Sequence, residues 1–144
     1  MKFTPYLSFQ GQCAQAMAHY AEIFGATPQL LRFSSMAGQP GMPELPPELQ
    51  DWVMHGEITL PDGNMLMGAD MPAQYGGEAQ AGVSVALSFD EIAQARDIFE
   101  RLAKDGTVTM PFGETFFSAG FGMAKDRFGT SWMVMTTQHT DKRP

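Results

Sequence analysis

The stretch LSFQGQCAQA, Leu7 to Ala16, returns as LSFDEIAQA, Leu87 to Ala95. In both copies a short alternating segment ends in Leu-Ser-Phe and leads straight into a helix-forming run with Ala-Gln-Ala. A second pair repeats in the same order. ITLPDGNMLMGA at 58–69 and MAKDRFGTSWMVM at 123–135 each read as strand, glycine-containing turn, strand. The offsets are about 80 and about 66 residues, so one module occurs twice. A module of this size cannot close a full core alone. The two copies are expected to pack on each other, and function is expected in the cleft they share.

Working outward, residues 3–9 alternate, with Phe3, Pro5, Leu7 and Phe9 on one face and Thr4, Tyr6 and Ser8 on the other. Residues 12–24 place Cys13, Met17, Tyr20 and Phe24 at helical spacing, and Gly25 is a C-terminal stop. Strands are expected at 29–34, 52–60 and 64–69, with a Gly/Pro-rich loop over 35–50 and a turn at Pro61-Asp62-Gly63. After a linker at 71–81, the pattern repeats with a strand at 83–89 and a helix at 91–104 capped by Asp90. Strands follow at 107–110, 121–125 and 130–137. Each half reads βαβββ (1–70 and 82–138), and the whole chain, 1–144, reads as one domain.

The composition is that of an ordinary globular protein, 44% hydrophobic and 17% charged. A net charge of −7 with no basic stripe argues against nucleic acid; the Lys142-Arg143 pair reads as a frayed end. No apolar run approaches a membrane span, and the single cysteine, Cys13, cannot form an internal disulfide. A cytoplasmic protein is expected.

Four segments carry a family resemblance: PYLSF at 5–9, HYAEIFGA at 19–26, MHGEI at 54–58 and MPFGETFFSAGFGMAKDRFGTSWMVM at 110–135. Together they resemble the PhnB-like branch, also called 3-demethylubiquinone methyltransferase-like, of the vicinal oxygen chelate superfamily. That superfamily includes glyoxalase I, bleomycin-resistance proteins and extradiol dioxygenases. The resemblance implies an α+β fold of tandem βαβββ modules whose mixed sheets curl into cups with helices outside. It further implies a concave ligand-binding face and, with the strand edges left bare, a homodimer. The methyltransferase label has no support in the residues, because no glycine-rich nucleotide loop follows a first strand of a large parallel sheet.

Metal-dependent superfamily members carry ligands on the first and fourth strand of each half. Carried over, those positions are Thr4, Met67, Ser84 and Met133, and their neighbours at 3–6, 65–69, 83–86 and 131–135 supply no His, Glu or Cys. A hydroxyl pair and a thioether pair are poor donors for a divalent ion, so no metal and no other cofactor is expected there. These four, with Tyr6, Phe116 and Phe117, read instead as walls of a ligand pocket; Trp52, Phe112 and Phe121 are further aromatic candidates. Trp132 alternates to the helix side, Asp126 reads as the former of the Asp-Arg-Phe-Gly turn, and Asp70 and Glu114 read as exposed acids.

One polar cluster stands apart. His55, Glu57 and Thr59 alternate on the third strand, so they share a face. His55 and Glu57 suit an acid–base pair or a metal, or else a hydrogen-bonded pair at the rim of the cup. Three functions follow: a binding protein for an apolar or aromatic small molecule; a lyase-, isomerase- or dioxygenase-type enzyme working through His55 and Glu57, with or without a divalent metal; or an interaction protein with a filled cup. Calorimetric titration of metal-stripped protein with zinc, nickel and manganese is expected to show no ion at Thr4, Met67, Ser84 and Met133, and any binding should vanish in a His55→Ala, Glu57→Ala double variant. Binding tighter than about 1 μM that survives this variant but disappears in Met67→Ala, Met133→Ala would reverse the assignment.

Overall fold

The computed structural model describes residues 1–42 and 44–139; the Lys142-Arg143 pair lies outside them. The chain forms two compact units that divide between Gln80 and Ala81. The first contains β1 (Tyr6–Phe9), α1 (Cys13–Phe24), β2 (Gln29–Arg32), β3 (Val53–Thr59) and β4 (Met65–Asp70). Its four-stranded sheet runs β1-β4-β3-β2, with β1 parallel to β4 and the other pairs antiparallel. The second unit contains β5 (Ser84–Phe89), α2 (Ile92–Ala103), β6 (Thr107–Gly113), β7 (Phe121–Lys125) and β8 (Ser131–Thr136), in the matching order β5-β8-β7-β6. Each sheet is therefore mixed, with one parallel and two antiparallel ladders. No helix among the described residues is long and apolar enough to cross a membrane.

The strand registers establish the repeat residue by residue. Tyr6 opposes Met67 as Ala86 opposes Met133, and Phe9 opposes Asp70 as Phe89 opposes Thr136. In each unit one helix covers one sheet face. α1 buries Cys13, Ala16, Met17, Tyr20 and Ile23; α2 buries Ala95, Ile98, Phe99 and Leu102. α1 ends where Gly25 takes φ 73° and donates its N–H to Ala21 O, closing the helix as its glycine predicts. The helices come close because glycines lie beneath them. A Cβ at Gly68 would stand 2.7 Å from Met17 Cε and 2.9 Å from the Leu7 carbonyl; one at Gly122 would stand 2.9 Å from the Phe99 ring.

Several sequence expectations need correction. β1 starts at Tyr6, not residue 3: Pro5 accepts from Met67 N at 3.0 Å but has no N–H to continue the ladder, and Phe3 is 92% exposed. Thr4 therefore lies outside the strand. β2 ends at Arg32, because Phe33 N and Ser34 N donate to the carbonyls of Trp52 and Gln50 and the chain coils into a 3₁₀ turn at Phe33–Met36. β6 extends to Gly113, with Pro111 tolerated because β6 is an edge strand. Asp90 does not cap α2. The N-cap is Glu91, without a side-chain cap, and the Asp90 carboxylate accepts from Thr137 Oγ1 at 3.2 Å.

The largest correction is Asp70, which is 2% exposed rather than a surface acid. Its Oδ1 accepts from Gly11 N at 2.7 Å and from Cys13 N at 3.0 Å, and its Oδ2 accepts from Val53 N at 2.9 Å. One carboxylate thus joins the end of β4, the first turn of α1 and the start of β3. Asp70→Ala would leave three N–H groups without this partner, those of Cys13 and Val53 buried, and is expected to cost about 3–5 kcal/mol, with Asp70→Asn losing less. Urea unfolding followed by circular dichroism measures both; a loss under about 1 kcal/mol for Asp70→Ala would refute this role.

Candidate functional site

Asp70 also sets the phase of β3. Val53, held by the carboxylate, is buried, while the pairing of β2 with β3 skips Met54: Leu31 opposes His55 and Arg32 opposes Val53. This bulge resets the alternation. Gly56 and Ile58 then face α1, and His55 and Glu57 point to the face away from the helix. Register continues that face across the sheet as a row of Tyr6, Met67, Glu57 and Gln29, with Ser8, Ala69, His55 and Leu31 beside it.

Three of these side chains touch. The Tyr6 hydroxyl lies 2.9 Å from His55 Nδ1, and the two rings are tilted at 35° with centroids 5.6 Å apart. His55 Nε2 lies 3.6 Å from Glu57 Oε2, beyond hydrogen-bond length but close enough to favour a proton on Nε2. Nδ1 is then the acceptor and the tyrosine hydroxyl the donor. Partial burial raises the Tyr6 phenol above its ordinary range, with a further push from Cys13 once that thiol ionises, so Tyr6 keeps its proton at neutral pH. His55 and Glu57 lie side by side on β3, and Tyr6, read from sequence only as a pocket wall, is bonded to His55. The missed contact needs the β1–β4–β3 register, which alternation within one strand does not contain.

The other expected site residues fall as follows. Met67 is half-buried between Tyr6 and Glu57 in the row. Thr4 is exposed and borders a surface hollow with Lys2, Phe3 and the Asp62–Met65 turn. In the second unit Ser84 is exposed opposite Ser131, and Met133 is half-buried between Ala86 and Met123. Phe116 and Phe117, 66% and 38% exposed, stack edge-to-face with each other and then on Phe121, with centroids 5.2 and 5.1 Å apart. Phe112 turns the other way, onto Phe99 and beneath the Arg96 guanidinium, and Trp52 packs over Gly11. Trp132 is core, as its alternation predicts, and donates Nε1–H to Asp126 Oδ2, while Asp126 Oδ1 closes the turn onto Phe128 N and Thr130 N.

The two repeats diverge at this cluster. The positions of Tyr6, Met67 and Glu57 are taken in the second unit by Ala86, Met133 and Met123, one apolar row. The superfamily's metal positions do not fit an ion: thioethers stand on the fourth strands, and Thr4 is off its strand. Among the described residues no group of three or more His, Cys, Asp and Glu is placed to hold a metal. A hollow of about 730 Å³ lies among the turns of residues 33–50, lined by Phe33, Met36, Met42 and Leu45, but its Gln50 amide is already bonded to Leu45 O. The sheet face carries the stronger chemistry, because its polar groups converge.

Paired βαβββ units with mixed four-stranded sheets define the glyoxalase/bleomycin resistance/dioxygenase fold. A glyoxylase/bleomycin resistance protein/dioxygenase domain from Frankia sp. EAN1pec shares it at a TM-score of 0.57 and 17% identity, covering 93% of each chain. Residues 1–135 match the family described as 3-demethylubiquinone-9 3-methyltransferase. The chain belongs to that family. It is 30% identical to protein YjdN of Escherichia coli (strain K12), over 93% of this chain and 94% of YjdN. It is similar to protein PA1353 from Pseudomonas aeruginosa, with 36% identity, a TM-score of 0.82 and coverage of 96% and 98%. It also resembles a PhnB protein from Bacillus cereus, with 25% identity, a TM-score of 0.71 and coverage of 95% and 100%.

Cys13, at the start of α1, is buried, and its thiol is pushed up to about 12, by burial first and by the Asp70 carboxylate second, against a smaller pull from Arg32. It is a packing residue, not a nucleophile. Because its folded pKa is raised, the stabilisation is full below the free-thiol value of about 8.5 and is lost as pH rises through about 12. Native protein at pH 8 is expected to resist a thiol-specific disulfide reagent until urea is added. Stability should fall between pH 9 and about 12 in the wild type, less steeply in Cys13→Ala. Rapid native labelling would contradict this.

Proposed function

We propose that the protein binds a small apolar or aromatic molecule on the face of the first sheet that points away from α1. The observation that carries this reading is the asymmetry between repeats: the second unit has an apolar methionine row where the first has Tyr6, Met67 and Glu57, with His55 bonded to Tyr6. Packing alone would be served by apolar residues at these positions in both units. Methionine adapts to varied ligand shapes, and a tyrosine fixed by a histidine offers a rigid aromatic surface. The superfamily fold houses both sequestration and catalysis, so the fold does not choose between them. A homodimer remains part of this proposal.

A second reading has its own support. The Tyr6–His55–Glu57 chain links a donor, a titratable imidazole and a carboxylate, the arrangement of an acid–base relay. Catalysis by this route would need Glu57 to move aside so that His55 could give its Nε2 proton to a substrate atom. Screening aromatic fragments against protein carrying ¹³C-methyl methionine separates the readings. Fragments are expected to shift the Met65 and Met67 methyl signals, and Met67→Ala should weaken them by about tenfold, the loss of roughly one buried side chain's contact. If no fragment moves these signals in folded protein, the binding proposal fails; turnover of a bound fragment that is lost in His55→Ala would favour the enzyme.

A further inference from the structure

Resting on the reading that this face binds a small apolar or aromatic molecule, we infer that it selects ligands carrying a protonated amine. The ammonium would sit on Glu57 and the apolar body across Met67 and Tyr6.

In the two rows of the face, Glu57 is the one residue that carries a full charge at neutral pH with histidine neutral. Its side chain is only 28% exposed, so part of the carboxylate's hydration is already lost. Its ion-pair partner is His55, at 3.6 Å and with Nδ1 engaged by Tyr6, so a neutral imidazole leaves the negative charge uncompensated. An incoming cation restores that charge balance.

The space beside Glu57 has the same character. Glu57, Gln29 and Thr59 border a hollow of about 370 Å³ completed by the 25–27 turn, Leu60 and Pro61. Its lining contains no lysine, arginine or histidine, and Glu57 is its one ionisable group. Hydroxyl and amide oxygens of Thr27, Thr59 and Gln29 supply further acceptors for N–H groups. On the other side of Met67 the Tyr6 ring is half-exposed and offers a π face to a cation, and the methionine sulfur is polarisable. A carboxylate ligand would meet Glu57 with repulsion, and a neutral alcohol would give the carboxylate a hydrogen bond only, where an ammonium adds a full opposite charge beside it.

The test uses three probes with one aromatic body: 2-naphthylmethylamine, 2-naphthylmethanol and 2-naphthoate. Each is titrated against full-length wild-type protein and Glu57→Gln, with Met67 methyl and His55 ring signals followed by NMR. Because Glu57 is partly exposed and outside the core, the variant should fold; its methyl spectrum checks this. The amine is expected to bind at least about tenfold tighter than the alcohol, with naphthoate weakest, and Glu57→Gln should weaken the amine at least about tenfold more than the alcohol, so that the preference is erased. Equal binding of amine and alcohol would overturn the charge selection and leave the ligand-binding reading standing. An amine preference that survives Glu57→Gln would overturn the assignment to Glu57. If none of the three probes moves the Met67 or His55 signals, both inferences fall.

Discussion

A single buried carboxylate organises the first unit. Asp70 ends β4, and its two oxygens accept from the backbone at Gly11, Cys13 and Val53, where the α1 start and the β3 start meet it. The helix N-terminus has unpaired N–H groups and a partial positive charge, and a carboxylate answers both. Because Val53 is pinned inward, the bulge at Met54 decides which side His55 and Glu57 face. Without that bulge, simple alternation from Val53 would turn His55 and Glu57 towards α1, into the space that Gly56 leaves for Met17. The chemistry on the open face therefore depends on a contact buried on the other side of the sheet.

The second unit meets the same structural demand differently. Thr136 stands where Asp70 stands, and its hydroxyl donates to Asp90 O at 3.3 Å and accepts from Gln138 N. The buried carboxylate moves to Asp126, at the β7–β8 turn, where it holds two turn N–H groups and the Trp132 indole. The repeat is thus kept in strand order, register and the glycines that let a helix approach, Gly56 under Met17 and Gly122 under Phe99. It is not kept in the polar groups. The first sheet carries Tyr6, His55 and Glu57 on its open face, and the second carries the apolar row of Ala86, Met133 and Met123 at the matching positions.

Much of the fold was legible in the chain because it rests on local periodicity. The paired Leu-Ser-Phe segments, the helix spacing of Cys13, Met17 and Tyr20, and the Asp126–Gly129 turn are each specified within a few residues, and each appears where expected. The errors came where local pattern meets a distant partner. Residues 3–5 alternate like a strand, but Pro5 has no N–H to donate to a ladder. Asp90 looks like a helix cap, yet Thr137 takes its carboxylate from the far end of the unit. Phe112 looks like a ligand-stacking ring, yet α2 presents Phe99 and Arg96 to it.

The amino-acid sequence by itself determined the doubled βαβββ order, the family, and the sharing of one strand face by His55 and Glu57. Those properties depend on residue identity and on spacing along one segment. Tertiary structure alone decided that Asp70 is buried, that Tyr6 binds His55 from two strands away, and that Glu57 borders a hollow free of basic residues. Burial and cross-strand contact are set by which segments lie side by side and in what register. A one-residue slip of β1 against β4 would leave every local pattern intact and turn the tyrosine to the wrong face.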